Sequence, residues 1–467
     1  MGALMVQGTS SSAGKSLVAT GLARALRRRG HDVAPFKAQN MSNNARVVNG
    51  GEIGTAQYLQ ALAAGVEPDV RMNPVLVKPE GDDRSQVVIL GRPDLEISRL
   101  PWRARAPLLW AVIEEALRQL LGEHEILVIE GAGSPAETNL RDTDLANMRT
   151  ALLAGARVLL IADIDRGGAF AHLYGTWALL SEPERSLICA FALNKFRGDP
   201  SLLPPAPDDL ERLTGVPTVG VIPWLEHGLP DEDGAATPSA ARGRATVAVI
   251  RYPTASNLDE FKLLQQVADL RWATAPPDLE GADLVVLPGS KHVAADLAWL
   301  RHNGLADAVV ERARTGRPVL GICGGLQMLG TRFEDAGGID GSADGLGLLP
   351  LLTRFERGKL TRRAAAAFAE LPEPWSALSG KKFCGYEIRH GQTKAEGAIP
   401  ALADGMGYVA GSVLAVYAHG LFEDESVLQA LFGSTPCRSL EHALDDLADA
   451  IEEHLDVPFL LKEAGIA

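Results

Sequence analysis

Short apolar runs separated by longer amphipathic stretches dominate the first half of the chain. They lie at 3–8 (ALMVQG), 32–37 (DVAPFK), 125–131 (EILVIEG), 156–163 (ARVLLIAD), 187–195 (LICAFALNK) and 217–223 (PTVGVIP). Runs that are apolar throughout are buried on both faces, as parallel strands covered by helices are. The pattern predicts a doubly wound α/β domain over residues 1–225. Periodicity is then lost over 226–244 (EHGLPDEDGAATPSAARGR), a stretch rich in Pro, Gly, Ala and charge that reads as a linker. Apolar runs resume at 246–252 (TVAVIRY), 283–289 (DLVVLPG) and 318–325 (PVLGICGG), followed by the strand-rich GKKFCGYEIRHG (380–391) and GSVLAVYAHGLF (411–422). A second α/β domain is expected over 245–467, with a helical tail from Ser439 to His454.

Composition narrows this picture. With 46% hydrophobic and 22% charged residues the chain is globular rather than disordered. A net charge of −14 argues against a general nucleic-acid binder, because a broadly acidic surface repels phosphate backbones. Cys189, Cys323, Cys384 and Cys437 form no CxxC pair, which excludes a zinc ribbon and fits a reducing compartment. No leader segment and no bilayer-length apolar run is visible. The expectation is a soluble, cytoplasmic protein without membrane or nucleic-acid partners.

GTSSSAGKS (8–16) follows the first predicted strand and opens a helical pattern that ends at Gly30. Strand, glycine-rich turn and helix N-terminus are the three parts of a phosphate-binding loop, in which backbone N–H groups surround the anion. Gly8, Thr9 and Gly14 would form the turn, Lys15 would reach the phosphates and the Ser16 hydroxyl would help hold Mg²⁺. The usual motif has four residues between its glycines, whereas five separate Gly8 from Gly14. This longer loop resembles the variant in dethiobiotin synthetase and its relatives, ATP-dependent enzymes that activate carboxyl-type groups. The resemblance implies a phosphate-facing role for Lys37, a metal-binding role for Glu130 in VIEGAGS and adenine recognition by Asn194 in LNKF. Read alone, Glu130 is equally a solvated carboxylate at a strand end, and Asn194 equally a loop cap. Asp163 and Asp165 are further metal or substrate candidates, with turn formation as the alternative.

In the second half, PVLGICGGLQMLG places Cys323 between an apolar strand and a glycine-led helix, the geometry of a nucleophile elbow. His419 in YAHGLFE follows another apolar strand and can serve as its base. GICGG together with YAHG resembles a class I glutamine amidotransferase domain. That resemblance implies a cysteine thioester formed from glutamine, an oxyanion-hole N–H from Gly289 and a glutamine pocket lined by Gln327. Such domains carry a glutamate two residues after the histidine, where this chain has Leu421; Glu423 lies further on. A Cys323–His419 dyad is the expectation, an inactive domain the alternative.

Nearly the whole chain resembles the cobyric acid synthase family. The resemblance is carried by PFKAQNMSNNA (35–45), IGTAQ (53–57), MNPVLVKP (72–79), SQVVILG (85–91), EGAGSPAETNLRDTDLANM (130–148), DIDRGGAFA (163–171), NKFRGD (194–199), GLGLLP (345–350) and GYEIRHG (385–391). It implies ATP- and glutamine-dependent amidation, with Mg²⁺, of the b, d, e and g carboxylates of a corrinoid, adenosylcobyrinic acid a,c-diamide. An acyl phosphate would be displaced by ammonia released from L-glutamine. GYEIRHG departs from the family, which commonly has histidine directly after the isoleucine; here Arg389 precedes His390. Cobyrinic acid a,c-diamide synthase shares both domain types and is the nearest alternative. A partition or scaffold protein with a dead amidotransferase-like domain is another. A homo-oligomer is left open.

Overall fold

The computed structural model describes residues 2–80, 84–230, 244–436 and 438–466, so Cys437 and positions 231–243 of the expected linker lie outside the described residues. All six strands expected in the first half are present and form one parallel sheet. Its order is Thr218–Pro223, Ile188–Phe196, Arg157–Asp163, Gly2–Gly8, Ile126–Glu130, Val33–Phe36. Helices cover both faces, which explains the unbroken apolar runs. Chain order reverses beside the Gly2–Gly8 strand, and an open sheet binds ligands past the carboxyl ends of its strands at such a switch point. Gly8, Glu130 and Asp163 all end strands there.

The second sheet has seven strands in the order Asp269–Ala273, Thr246–Ile250, Leu284–Leu287, Val319–Ile322, Val413–Val416, Gly407–Ala410, Ile399–Leu402. The first five are parallel and the last two antiparallel. A long hairpin of Leu351–Ala367 with Lys382–Ala395 stands beside it and contains the expected GKKFCGYEIRHG segment.

Residues 39–94, for which no strand was expected, fold into a hairpin (Ala45–Val48 with Gly51–Gly54), a helix (Thr55–Ala64) and a small sheet. This insertion forms the seam with the second domain. Ala45, Leu76 and Val88 pack against Ile388 of the long hairpin. Beside them Glu52 is buried between Lys78 of the first domain and Lys359 of the second. Burial works against the Glu52 charge, but Lys359 and Lys78 outweigh it and hold the carboxyl down at about 2.

The helical tail corrects the expected division. Residues Leu440–His454 are helical, but they pack on the Lys15–Arg28 helix of the first domain. Leu444, Leu447 and Ile451 join Val18, Ala19 and Leu22 in one buried cluster. Gly21 permits the close approach, since a Cβ there would lie 2.5 Å from Ile451 Cγ1. Glu441 and Asp445 pair with Arg24, Asp449 with Arg28 and Glu452 with Arg29, at 2.6–2.8 Å. The ALRRR end of the first helix therefore meets the acidic face of the tail. Apolar contact carries most of the docking, because exposed ion pairs contribute about 0–1 kcal/mol each. Ile451→Ala is expected to lower the stability of the first domain by about 2–5 kcal/mol, read as a lower urea midpoint for its unfolding transition.

Candidate functional site

The phosphate loop occupies the turn between the Gly2–Gly8 strand and the Lys15–Arg28 helix. Gly14, with φ 95°, must be glycine: a Cβ would lie 2.0 Å from Asn194 Nδ2. The extra residue is accommodated by a second left-handed position, Ser12 (φ 58°), and the loop is fastened from the neighbouring strand. Asn194 Nδ2 donates to Ala13 O at 2.8 Å, and Lys195 Nζ to Ser12 O at 2.7 Å. Asn194 is buried, and the loop takes one of its two amide hydrogens, as a loop cap would. Lys15 Nζ lies 3.0 Å from both Ser10 O and Gly133 O, which ties the loop to EGAGS. Thr9 Oγ1 is buried with no hydrogen-bond partner among the described residues. A hydroxyl so placed fits an incoming phosphate oxygen.

Glu130 is fully buried at the end of its strand. Its Oε1 is 2.8 Å from Ser16 Oγ and 2.7 Å from Lys37 Nζ; its Oε2 is 2.6 Å from Gln60 Nε2 and 3.3 Å from Gln57 Nε2. A hydroxyl and a carboxylate beside a phosphate loop suit Mg²⁺, which takes hard oxygen ligands and few of them from protein. Among the described residues no cluster of three His, Cys, Asp or Glu side chains suits a metal, so the remaining ligands would be phosphates and water. Asp163 is instead engaged by Lys195 and Arg166 and caps Asp165 N, and Asp165 faces Arg197. These two aspartates build the turn.

Cys323 lies between the Val319–Ile322 strand and the Gly324–Leu329 helix at φ 50°, ψ −102°, the strained backbone of an elbow. Its glycines are obligatory: a Cβ on Gly325 would meet Leu287 O at 2.0 Å. Its Sγ is 3.7 Å from Ile388 O, the residue that touches the first domain. His419 is buried, and the Cys323 sulfur is among the groups that favour its charged form. A Cβ on Gly289 would lie 2.8 Å from His419 Cε1, which places Gly289 at the same centre. Gln327 is buried one helical turn beyond the thiol, with Nε2 3.4 Å from Tyr417 Oη. Cys189, by contrast, is a core thiol that burial pushes up to about 11.

The expected dyad is corrected to a triad geometry. Glu260, from the LDEF turn after the second sheet's Thr246–Ile250 strand, puts Oε1 3.0 Å from His419 Nδ1 and takes the Gly420 N–H on Oε2 at 2.9 Å. Burial works against a charged His419, but the Glu260 carboxylate and the Cys323 sulfur outweigh it and raise the imidazole to about 10. Burial pushes Glu260 upward too, with His419 opposing. Glu423, the carboxylate nearest in sequence, turns away to Arg46 of the first domain.

GYEIRHG acquires a structural reason. Tyr386 exchanges backbone hydrogen bonds with His419, and its ring stacks on the imidazole at 5.4 Å. Gly385 allows the contact, since a Cβ would meet His419 O at 2.1 Å. Arg389 pairs with buried Glu387 and stacks on Tyr417 at 4.0 Å, while His390, exposed to burial and to Lys359 and Lys291, is held down at about 4.

Residues 4–229 match the CobQ/CobB/MinD/ParA nucleotide binding domain, and residues 246–427 match the CobB/CobQ-like glutamine amidotransferase domain. The cobyric acid synthase of Polaromonas sp. (strain JS666 / ATCC BAA-500) is 54% identical over 97% of this chain and 96% of its own length. That of Variovorax paradoxus (strain S110) is 54% identical over 98% of each, and that of Paracidovorax citrulli (strain AAC00-1) 55% over 97% of each. The chain belongs to the cobyric acid synthase family. Membership makes it an ATP-dependent amidating ligase of cobalamin biosynthesis, built from a nucleotide-binding half and a glutamine amidotransferase half.

Sequence reasoning missed Glu260, Gln57 and Gln60. Gln57 sat within IGTAQ, a family stretch, but its spacing from Glu130 carried no signal. Glu260→Gln removes the charge that raises His419, so its titration midpoint should fall by about 1–3 pH units, followed by NMR of the imidazole Cε1–H.

Proposed function

We propose that this protein amidates the b, d, e and g side-chain carboxylates of adenosylcobyrinic acid a,c-diamide, using ATP and glutamine. The carrying observation is a complete thiol centre facing the seam of the same chain that holds a phosphate loop: Cys323 Sγ reaches Ile388 O, and Ile388 packs on the first domain.

In the amidotransferase half, the Cys323 thiolate attacks the glutamine amide carbon. The oxyanion that develops is met by the Gly289 N–H, and Gln327 lines the pocket. His419, oriented through Nδ1 by Glu260, gives its proton to the leaving nitrogen, so ammonia departs and a Cys323 thioester remains. Water, deprotonated by the same imidazole, hydrolyses the thioester to glutamate.

In the nucleotide-binding half, Gly8, Thr9 and Gly14 shape the cradle for ATP. Lys15 and Lys37 neutralise the phosphates as the γ-phosphoryl group passes to a corrinoid carboxylate. Ser16 and Glu130 would hold Mg²⁺, which would supply charge neutralisation for the phosphates. Lys37 now pairs with Glu130 and is therefore within reach of the same phosphates. Asn194 fixes the loop and offers its second amide hydrogen toward adenine. Ammonia then displaces phosphate from the acyl phosphate to give the amide. A carboxylate is a poor electrophile, and the phosphate leaving group is what makes amide formation feasible. No helix among the described residues is long and apolar enough to cross a membrane.

Incubation of the a,c-diamide with ATP and glutamine, followed by mass spectrometry, should show four successive amidations; no mass change would refute the proposal. Cys323→Ala should abolish amidation from glutamine yet retain it from added ammonia, whereas Lys15→Ala should lose both. Ammonia-dependent turnover by Lys15→Ala would remove the proposed ATP site.

A further inference from the structure

The segment that carries the histidine's carboxylate and the one that carries Glu423 are both held from across the domain seam. Arg46, on the first-domain strand Ala45–Val48, is buried at the seam. Its Nη2 lies 2.5 Å from Asp259 Oδ2 and 2.5 Å from Glu423 Oε1, and its Nη1 2.8 Å from Glu423 Oε2. Asp259 directly precedes Glu260, and Glu423 is four residues beyond His419. One guanidinium therefore grips both segments that meet at the Glu260–His419 bond.

Its neighbours grip the same loop. Asn44 Oδ1 accepts from Leu258 N at 3.2 Å, Ala45 O from Asn257 Nδ2 at 2.8 Å, and Thr55 Oγ1 donates to Asp259 Oδ2 at 3.3 Å. The guanidinium also lies 5.1 Å from the centre of the Tyr386 ring, which stacks on His419. Asn257 Nδ2 reaches Tyr386 Oη at 2.9 Å. Asp259 beside Glu260, Glu423 beyond His419 and the Tyr386 ring against the imidazole are thus each in contact with Arg46, which belongs to the nucleotide-binding half.

We propose that Arg46 is a positioning residue for glutamine hydrolysis: by clamping Asp259 to Glu423 across the seam it aligns Glu260 with His419, so the glutaminase is complete only with the nucleotide-binding half docked. This rests on the reading of Cys323 and His419 as a glutaminase. Arg46 does not touch glutamine, so its loss should lower turnover rather than binding.

The test uses the full chain. Steady-state glutamate release and ammonia-driven amidation are measured for Arg46→Ala, Arg46→Lys and Glu423→Gln, with Cys323→Ala as reference. Arg46→Ala is expected to lower kcat for glutamine by on the order of 10²-fold, with KM and ammonia-driven amidation changed less than about twofold. Arg46→Lys should recover part of kcat, because an ammonium can keep one carboxylate but not the forked contact to both. Glu423→Gln, which keeps the shape, should lower kcat by a smaller factor. Wild-type kcat in Arg46→Ala overturns the proposal. So does a parallel loss of glutamine- and ammonia-driven activity in both Arg46→Ala and Glu423→Gln, which marks general damage. If Cys323→Ala still hydrolyses glutamine, the glutaminase reading itself fails; if it is inactive while Arg46→Ala is fast, the Arg46 proposal alone falls.

Discussion

A guanidinium shut away from water has to be neutralised where it lies, and the arrangement of the two halves follows from how Arg46 meets that demand. Burial opposes its charge, yet Asp259 and Glu423 hold the group well above its ordinary value, so it remains an ion. Stripping a buried ion of its partner costs about 3–5 kcal/mol, which makes the register between the Ala45–Val48 strand and the second domain hard to change. Glu52, between Lys78 and Lys359, imposes the same condition a short way along the seam. Ala45, Leu76, Val88 and Ile388 fill the space with apolar contact. The seam is therefore fixed by charge and sealed by packing.

The two halves use one construction at their centres. Glu130 and Glu260 are both fully buried carboxylates: Glu130 is held by side chains from several segments, Glu260 by the His419 ring and the Gly420 N–H. The Thr55–Ala64 helix reaches both neighbourhoods: Thr55 at its start touches Asp259, and Gln57 and Gln60 within it hold Glu130. A single short helix thus abuts the phosphate site on one side and the seam on the other.

Much of this was legible from residue order alone. Unbroken apolar runs located the parallel strands, and the longer glycine loop, Cys323 and His419 stood out because each depends on neighbours in the chain. Residues 39–94 escaped because their strands are only 3–5 residues long, too short for a period to show. The tail was assigned by its place in the chain, whereas its apolar face and acidic stripe match the first helix more than 400 residues earlier. Leu421 made the triad look incomplete; the missing carboxylate comes from a turn about 160 residues upstream of His419, and no local pattern records that pairing.

That tail has a consequence for synthesis. Helix Lys15–Arg28 emerges early, but the tail that packs on its Gly21 face is made only after the whole amidotransferase half. At translation speeds of about 5–20 residues per second, the intervening stretch of roughly 200 residues takes about 10–40 s. During that interval the nascent nucleotide-binding half carries an uncovered apolar strip, a surface suited to chaperone capture. Closure of the first domain therefore waits until the chain has passed through the amidotransferase half.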